Sequence, residues 1–209
     1  MEQTTTPDEI APIASGWTAG DFYYVSLGVH KSRRYHAKLR DFYRGCHHFA
    51  VAATAITGTS AFVALFSNAP GIAKWLTAGI AIVSTLDLVI AFSERADQHD
   101  DLNRRFTELA AKMAEWEPTE GNYRQACAER IRIEKDETTE RRLVDLMAQN
   151  DETRARGANP DDLVPLNWWQ YRFGYFFTFG MRRLEKWNAE REKERRAKVA
   201  PTISKDASH

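Results

Sequence analysis

The sequence predicts an all-α membrane protein in which a hairpin of two transmembrane helices carries a cytoplasmic helical bundle or coiled-coil-like helices. Two apolar runs of 18 residues, 49–66 and 75–92, lie on either side of a short Ser-Asn-Ala-Pro-Gly turn. Polar segments with helical periodicity flank them on both sides. The mean hydropathy of the whole chain is −0.53, so the hairpin is a minority of the mass.

Each apolar run is long enough to cross a membrane. At about 1.5 Å of rise per residue such a helix spans roughly 27 Å, close to the thickness of bilayer hydrocarbon. The first run contains no charged residue and the second only Asp87. A helix in a water-soluble core is usually apolar on one stripe, whereas these runs are apolar or small all round. We therefore expect spans at 49–66 and 72–92; the alternative is a buried hairpin in a soluble bundle.

Basic residues near the two runs predict the orientation of the hairpin. Lysine and arginine accumulate on the cytoplasmic side of membrane proteins. Only Lys74 lies near the connecting turn. The outer flanks of the hairpin carry many more cations, namely Lys31, Arg33, Arg34, Lys38, Arg40 and Arg44 before it and Arg95, Arg104, Arg105 and Lys112 after it. We expect a multi-pass protein with both termini in the cytoplasm and the turn outside.

The overall composition narrows the class of protein. With 29 basic and 29 acidic residues the net charge is zero, which argues against nucleic acid as the main partner. The two cysteines, Cys46 and Cys127, form no CxxC pattern and fit a reducing compartment. Residues 1–20 show no periodicity and are expected to be disordered. Their acidic, polar start lacks the basic region of a signal peptide, so the first run is not expected to be a cleaved leader.

Helical periodicity extends on both sides of the hairpin. A basic cytoplasmic helix is expected over 21–48, and cytoplasmic helices over 93–150. Spacings of three and four predict a pairing seam that continues without a break from the second span to Pro118. A second polar helix over 122–150 is expected to pair with it in antiparallel fashion. The seam consists of His99, Leu102, Phe106, Leu109, Met113 and Trp116.

The C-terminal part of the chain divides into a linker, an aromatic and basic segment, and a tail. Residues 151–166 contain glycine and prolines and are expected to be a linker, and 199–209 a disordered tail. Residues 167–198 combine many aromatics with eight basic and four acidic residues after position 181. This favours an amphipathic segment at the membrane interface, or else aromatics that pack against the cytoplasmic helices. The expected interface residues are Arg44, Trp75, Trp168, Trp169, Arg172, Arg182 and Arg183.

Asp87 is the sharpest candidate for a functional residue. An ionisable group inside a span is costly, so it predicts either a role in assembly or a water-filled path, or a hydrogen bond that holds the hairpin, for instance to Thr54 or Thr57. Small residues at four-residue spacing let helices approach closely and leave a second face for contacts between subunits. The predicted intramembrane assembly positions are Asp87, Thr54, Thr57, Gly58, Thr77, Ser84 and Thr85.

No signature of an enzyme, cofactor or metal site is found in the sequence. The chain contains none of the motifs GxxxxGK[ST], GxGxxG, GxSxG or HExxH. No two histidines or cysteines have the i, i+3 or i, i+4 spacing that a metal site on a helix requires. We expect no catalytic residue, no metal ligand and no cofactor.

The order of segments resembles the SLATT family, the SMODS- and SLOG-associating two-transmembrane effector domains. The residues that carry the resemblance are Lys31-Ser-Arg-Arg-Tyr-His36, Phe42-Tyr-Arg44, the hairpin, Leu86-Asp-Leu88, Phe92-Ser-Glu-Arg-Ala96, His99, Leu102 and Arg105-Phe106. The resemblance covers about residues 22–150. It implies a bacterial inner-membrane effector of a conflict or anti-phage defence system that compromises the bilayer on a signal. Because the chain carries no nucleotide-binding or nucleotidyltransferase domain, the trigger would come from a separate sensor or nucleotide-signal-producing protein, or from the cytoplasmic helices themselves.

The sequence pattern and the resemblance favour two functions. The first is an oligomerising, pore-forming or otherwise bilayer-perturbing effector. The alternative is a non-catalytic membrane anchor or scaffold that recruits a cytoplasmic partner through its helices. The lipid bilayer is a partner in both, and homo-oligomers are expected in the first.

Overall fold

The computed structural model describes residues 17–59, 67, 70–137, 141–157, 159–187 and 189–191, and these are all-α, without a strand. The all-α prediction is thereby confirmed. The helices are α1 (Ala19–Thr57), α2 (Pro70–Ile90), α3 (Phe92–Glu115), α4 (Glu120–Glu134), α5 (Arg142–Ala155), a 3₁₀ turn (Pro160–Asp162), α6 (Trp168–Phe173) and α7 (181–187 and 189–191).

Helix α1 passes from the polar part of the chain into the first apolar run without a break. It contains 39 residues. At its start, the Asp21 carboxylate accepts hydrogen bonds from the Thr18 backbone N–H (2.8 Å) and hydroxyl (2.9 Å). An acidic group in the first turn also favours the helix dipole. Helix α1 therefore connects the polar helical bundle directly with the apolar hairpin.

Helix α2 is long and apolar enough to cross a membrane. Its residues Gly71–Ile90 meet the length and composition of a span, and none of that window is buried in the protein. Within the described ranges it is the single helix that meets this test. Residues 60–66 of the first predicted span lie outside them, so only its helical part, 49–57, is seen here. That part runs antiparallel to α2, since Thr54 contacts Ser84 and His47 contacts Asp87.

The sequence predicts an unbroken helix from the second span to Pro118, and this prediction is wrong at one residue. Ala91 adopts a left-handed conformation (φ 54°, ψ 58°) that separates α2 from α3. Backbone groups at the break still form hydrogen bonds. The Ala91 N–H donates to the Asp87 carbonyl (2.9 Å), and Arg95 Nε donates to the Ile90 carbonyl (2.9 Å). A strained conformation at a non-glycine residue persists only where its surroundings hold it. The joint lies directly at the inner end of the apolar helix.

The single helix predicted over 122–150 is also divided. Helix α4 ends at Glu134 and α5 begins at Arg142. Contacts with distant residues hold the start of α5: the Arg141 N–H donates to the Tyr35 hydroxyl (2.9 Å), and its guanidinium donates to the Tyr43 hydroxyl (3.0 Å). These tertiary bonds are not visible in the helical periodicity of the sequence.

The expected linker over 151–166 is more ordered than its composition suggests. Helix α5 extends to Ala155, and Val164 is buried. The buried side chain of Asn150 bonds both backbone groups of Val164: its Oδ1 accepts from the N–H (2.7 Å) and its Nδ2 donates to the carbonyl (2.9 Å). This two-way bond fixes the segment against α5.

The core of the bundle forms where α1, α3, α4 and α5 meet. The spacing predicted a buried seam on α3, and all of its members are buried except Trp116, which is partly buried. The seam packs chiefly on α1, with Ala126 and Ile133 of α4 completing the cluster. Farther along α1, Leu39 and Tyr43 pack with Val144 and Ala148 of α5. Helix α1 is thus the central element of the bundle.

Candidate functional site

Asp87 is paired with a histidine at the inner end of the apolar hairpin. His47 Nδ1 lies 3.2 Å and 3.3 Å from the two carboxylate oxygens of Asp87, and both side chains are partly exposed. His47 precedes the first apolar run by two residues, and Asp87 precedes the end of α2 by three. The sequence analysis named Thr54 or Thr57 as hydrogen-bond partners of Asp87, whereas the structure gives it His47.

A second polar contact lies deeper between the same helices. Thr54 Oγ1 and Ser84 Oγ are 2.8 Å apart, and the Thr54 hydroxyl also donates to the Ala50 carbonyl (2.8 Å). Ser84 and Asp87 are one turn apart and therefore share a face of α2. The two contacts form a short polar seam between helices whose outer surfaces are apolar.

An open groove of about 390 Å³ runs beside this polar seam. Small side chains leave the space, because two alanines and a serine stand where larger residues would fill it. The groove is lined by Ala50, Val51, Thr54, Ala55, Ser84 and Asp87. We call it the polar groove. It places a carboxylate and two hydroxyls at a surface where another helix could pack.

The other predicted intramembrane positions do not join the polar groove. The Thr57 hydroxyl donates to the Ala53 carbonyl (2.9 Å) and that of Thr85 to the Ala81 carbonyl (2.8 Å), so each bonds its own helix. Gly58 ends α1, and Thr77 is exposed on α2. Of the seven assembly positions, the structure brings together Thr54, Ser84 and Asp87.

The predicted interface residues occupy three places. Trp75 lies near the outer end of α2 and is 82% exposed, while Arg44 lies at the inner end of the hairpin and forms a long ion pair with Asp100 (3.8 Å). Arg183 turns inward instead: its guanidinium donates to the Pro165 carbonyl (2.8 Å) and to Gln170 Oε1 (3.2 Å). The remaining four, Trp168, Trp169, Arg172 and Arg182, are exposed.

Exposed aromatic rings occur along the segment from Trp168 to Phe179. Trp168 packs edge-on against Trp169 (4.7 Å between ring centroids), and Trp169 stacks on Phe173 (5.5 Å). We call this group the aromatic patch; it consists of Trp168, Trp169, Phe173, Phe176, Phe177 and Phe179, which are between 37% and 67% exposed.

A buried histidine pair in the core of the bundle was not predicted from the sequence. His36 of α1 and His99 of α3 face each other with 3.0 Å between their Nδ1 atoms, and His36 Nε2 lies 3.1 Å from Glu137 Oε1. Both imidazoles are almost completely buried. Because a carboxylate only accepts, His36 donates from Nε2 to Glu137, and one of the two Nδ1 atoms donates to the other. The signal was present, since each histidine occupies an inward position seven residues before an aromatic core residue, Tyr43 or Phe106.

The surroundings keep His99 uncharged. The pKa of His99 is lowered from 6.5 to about 4, chiefly by burial and also by the nearby His36, Arg95 and Arg141, against the opposite effect of Glu137. Its ring lies parallel to that of Tyr43 (5.6 Å), and His36 stacks on Phe106 (5.5 Å). No group of three or more potential metal ligands occurs in the part of the chain that the structure describes. The pair is therefore a buried hydrogen-bonded contact between α1 and α3 in which His99 is uncharged.

Comparison of the chain with protein-family models, curated proteins and solved structures finds no match. The resemblance to the SLATT family therefore depends on the short motifs quoted above. Four of their residues, His36, Asp87, His99 and Phe106, take part in the contacts just described. His36, His99 and Phe106 lie in the core of the bundle, and Asp87 lies on the apolar hairpin.

Proposed function

We propose that this protein is a two-span bacterial membrane effector of the SLATT type, whose subunits associate in the membrane and perturb the bilayer under the control of the cytoplasmic helices. The polar groove is the observation that carries the proposal. A simple anchor requires only apolar surface toward lipid, and ionisable groups within spans are usually functional. Here Asp87 and two hydroxyls lie beside an open groove between two otherwise apolar helices.

The exposed surface of the hairpin supports two spans. Large apolar side chains of both helices are exposed, and water-soluble monomers rarely expose apolar patches of this extent. The apolar part of α1 exposes Phe49, Val51 and Ile56, and α2 exposes Ile72, Trp75, Leu76, Ile82, Leu86, Leu88 and Val89. The sequence of residues 60–66 continues the apolar composition of the first run. Both helices are thus suited to lipid.

The connections of the hairpin supply a route for control. Helix α1 is continuous from the cytoplasmic core to Thr57, whereas α2 joins α3 through the left-handed Ala91. A shift of α3 along α1 would therefore move Asp87 relative to His47. In an oligomer, neighbouring polar grooves would place carboxylates and hydroxyls along one path through the membrane.

Induction of the full chain in bacteria tests the proposal. We expect overexpression to depolarise the inner membrane and to arrest growth, measured with a potential-sensitive dye. Asp87→Asn should reduce the depolarisation strongly, because it removes the charge that faces the groove. Asp97→Asn is the matched control, since Asp97 is exposed on α3, and it should depolarise as the wild type does.

Topology is tested in the same cells. A membrane-impermeant maleimide should label Ser67→Cys from outside, while the native Cys46 and Cys127 stay unlabelled until the cells are opened. Absence of depolarisation by an inserted, correctly oriented protein would overturn the effector proposal in favour of a membrane anchor. Equal depolarisation by the wild type and Asp87→Asn would remove the polar groove from the mechanism.

A further inference from the structure

We propose that the aromatic patch, together with the cations around it, docks on the cytoplasmic headgroup layer of the membrane that α2 spans. The inference uses the proposed function only in taking α2 as a span. It assigns the segment 167–191 a partner, the lipid interface, which the effector mechanism itself does not require.

The position of the patch along α1 places it at the depth of the headgroups. Phe42 of α1 stacks on Tyr175 (4.7 Å between ring centroids) and meets the edge of Phe176 (4.9 Å). Phe42 precedes the first apolar residue, Phe49, by seven residues, which is about 10 Å along a helix. The headgroup layer on each side of a bilayer is roughly 5–8 Å thick. With α1 entering the membrane near Phe49, Phe176 lies at or just below the headgroups.

Contacts at the start of α5 also hold the aromatic segment at this position along α1. The Arg141 guanidinium donates to the Tyr175 carbonyl (2.7 Å) and to the hydroxyl of Tyr43, the neighbour of Phe42 in α1. Leu184 of α7 is completely buried and packs with Leu143, close to the same end of α5. The basic helix α7 therefore begins near the membrane-facing end of the bundle.

The chemistry of the surface fits a lipid interface. Tryptophan and phenylalanine favour the boundary between headgroups and hydrocarbon, and cations beside them favour anionic lipids. The described residues from 167 to 191 carry five cations and two carboxylates. Arg172, Arg182 and Lys186 among them are exposed. A second copy of this chain is a poorer occupant, because it would bring the same excess of positive charge against this one.

Buried contacts hold the backbone that carries the rings of the aromatic patch. The buried Gln170 accepts from the Asn167 N–H (3.0 Å) and donates to the Phe179 carbonyl (3.2 Å), so it joins the two ends of the aromatic segment. Gly174 lies against Met147 and Leu143 of α5, where a Cβ atom would clash. The exposed rings are thus presented by a fixed scaffold, and their ordering is already complete before contact with lipid.

Site-specific fluorescence on the full-length protein tests the inference. Single cysteines in a Cys46→Ala, Cys127→Ala background would carry an environment-sensitive fluorophore, in vesicles of phosphatidylglycerol and phosphatidylcholine with lipids brominated near the headgroup. We expect a label at Phe177→Cys to shift to the blue and to be quenched by the bromine. The matched label at Glu108→Cys, on the exposed side of α3, should keep its aqueous emission. In vesicles without phosphatidylglycerol the quenching at position 177 should weaken.

A third label separates failure of this inference from failure of the proposed function. Ile82→Cys, 62% exposed near the middle of α2, should be quenched by lipids brominated deep in the acyl chain. Quenching at position 82 with an aqueous signal at position 177 overturns only the docking of the patch. A label at 177 that is shielded from aqueous iodide but not quenched by lipid would mean that another protein surface covers the patch. Aqueous signals at both positions would overturn the membrane span as well.

Discussion

The helical bundle and the apolar hairpin differ in the exposure of the same residue types. Leu102, Leu109 and Leu143 of the bundle are at most 2% exposed, whereas Leu88 of α2 is 83% exposed. Burial of apolar surface from water therefore stabilises the bundle, while α2 gains little of this kind from its own chain. The two regions therefore differ in how their apolar surface is covered: the bundle buries it within the chain, whereas α2, which is long and apolar enough to cross a membrane, leaves it exposed.

The hydrogen bonding of polar side chains also differs between the two regions. In the bundle, Glu152 is nearly buried and accepts hydrogen bonds from Arg34 (2.7 Å) and Arg156 (2.7 Å). Although burial raises it, these two bonds hold the pKa of Glu152 below its ordinary value. In the hairpin, the described polar contacts between α1 and α2 are His47–Asp87 and Thr54–Ser84. Among the described residues, polar contacts between helices are therefore more frequent in the bundle than in the hairpin.

The largest effect is expected from one substitution made in both regions. Leu109→Ala in the core should lower the free energy of unfolding by about 2–5 kcal/mol, because it removes buried contacts and leaves a cavity. Leu88→Ala on α2 should change it by less than about 0.5 kcal/mol, since its side chain touches little protein. Denaturation of the purified protein in detergent micelles measures both. Equal losses would mean that α2 is packed in a protein interior, and would break the comparison.

The difference between local and distant contacts decides which features of the structure could be predicted from the sequence. Length, periodicity and the apolar composition predict an all-α chain, the buried seam of α3 and the apolar character of α2, because these depend on neighbours three or four residues apart. The break at Ala91, the division between α4 and α5, and the partner of Asp87 depend on contacts between distant residues. His36 and His99 were placed correctly on inward faces, but their bond joins residues 63 positions apart. Spacing within one helix shows that each histidine faces inward, but it does not show which residue of another helix it meets.

A pH-dependent loss of stability is expected from the histidine pair of the bundle. The folded pKa of His99, about 4, lies below its ordinary value of 6.5, so below pH 6.5 the unfolded chain binds more protons. The stabilisation is therefore complete above pH 6.5 and falls as the pH approaches 4, by about 2 kcal/mol at pH 5. Unfolding measured at pH 7 and pH 5 should show this loss.

Two variants assign the pH dependence to His99. His99→Gln should be less stable at pH 7 but should lose less stability between pH 7 and pH 5. His48→Gln, which changes an exposed histidine at the edge of the hairpin, should keep the dependence of the wild type. The range is chosen because Glu152, with its lowered pKa, stays ionised there. An unchanged pH dependence of stability in His99→Gln would mean that the histidine pair does not cause it.

The smallest effect concerns the polar contacts that join the two apolar helices. Ser84→Ala removes the hydrogen bond to Thr54, and such bonds between membrane helices contribute about 0.6 kcal/mol on average. Thr85→Ala removes a neighbouring hydroxyl that bonds only the Ala81 carbonyl of its own helix, so the packing of α1 on α2 should not change. Unfolding of the hairpin with a denaturing detergent, followed through a fluorophore pair on α1 and α2, compares the two variants. Equal stability of both would mean that small-residue packing alone joins the helices, and a loss for Ser84→Ala alone would assign the joint to the polar seam beside Asp87.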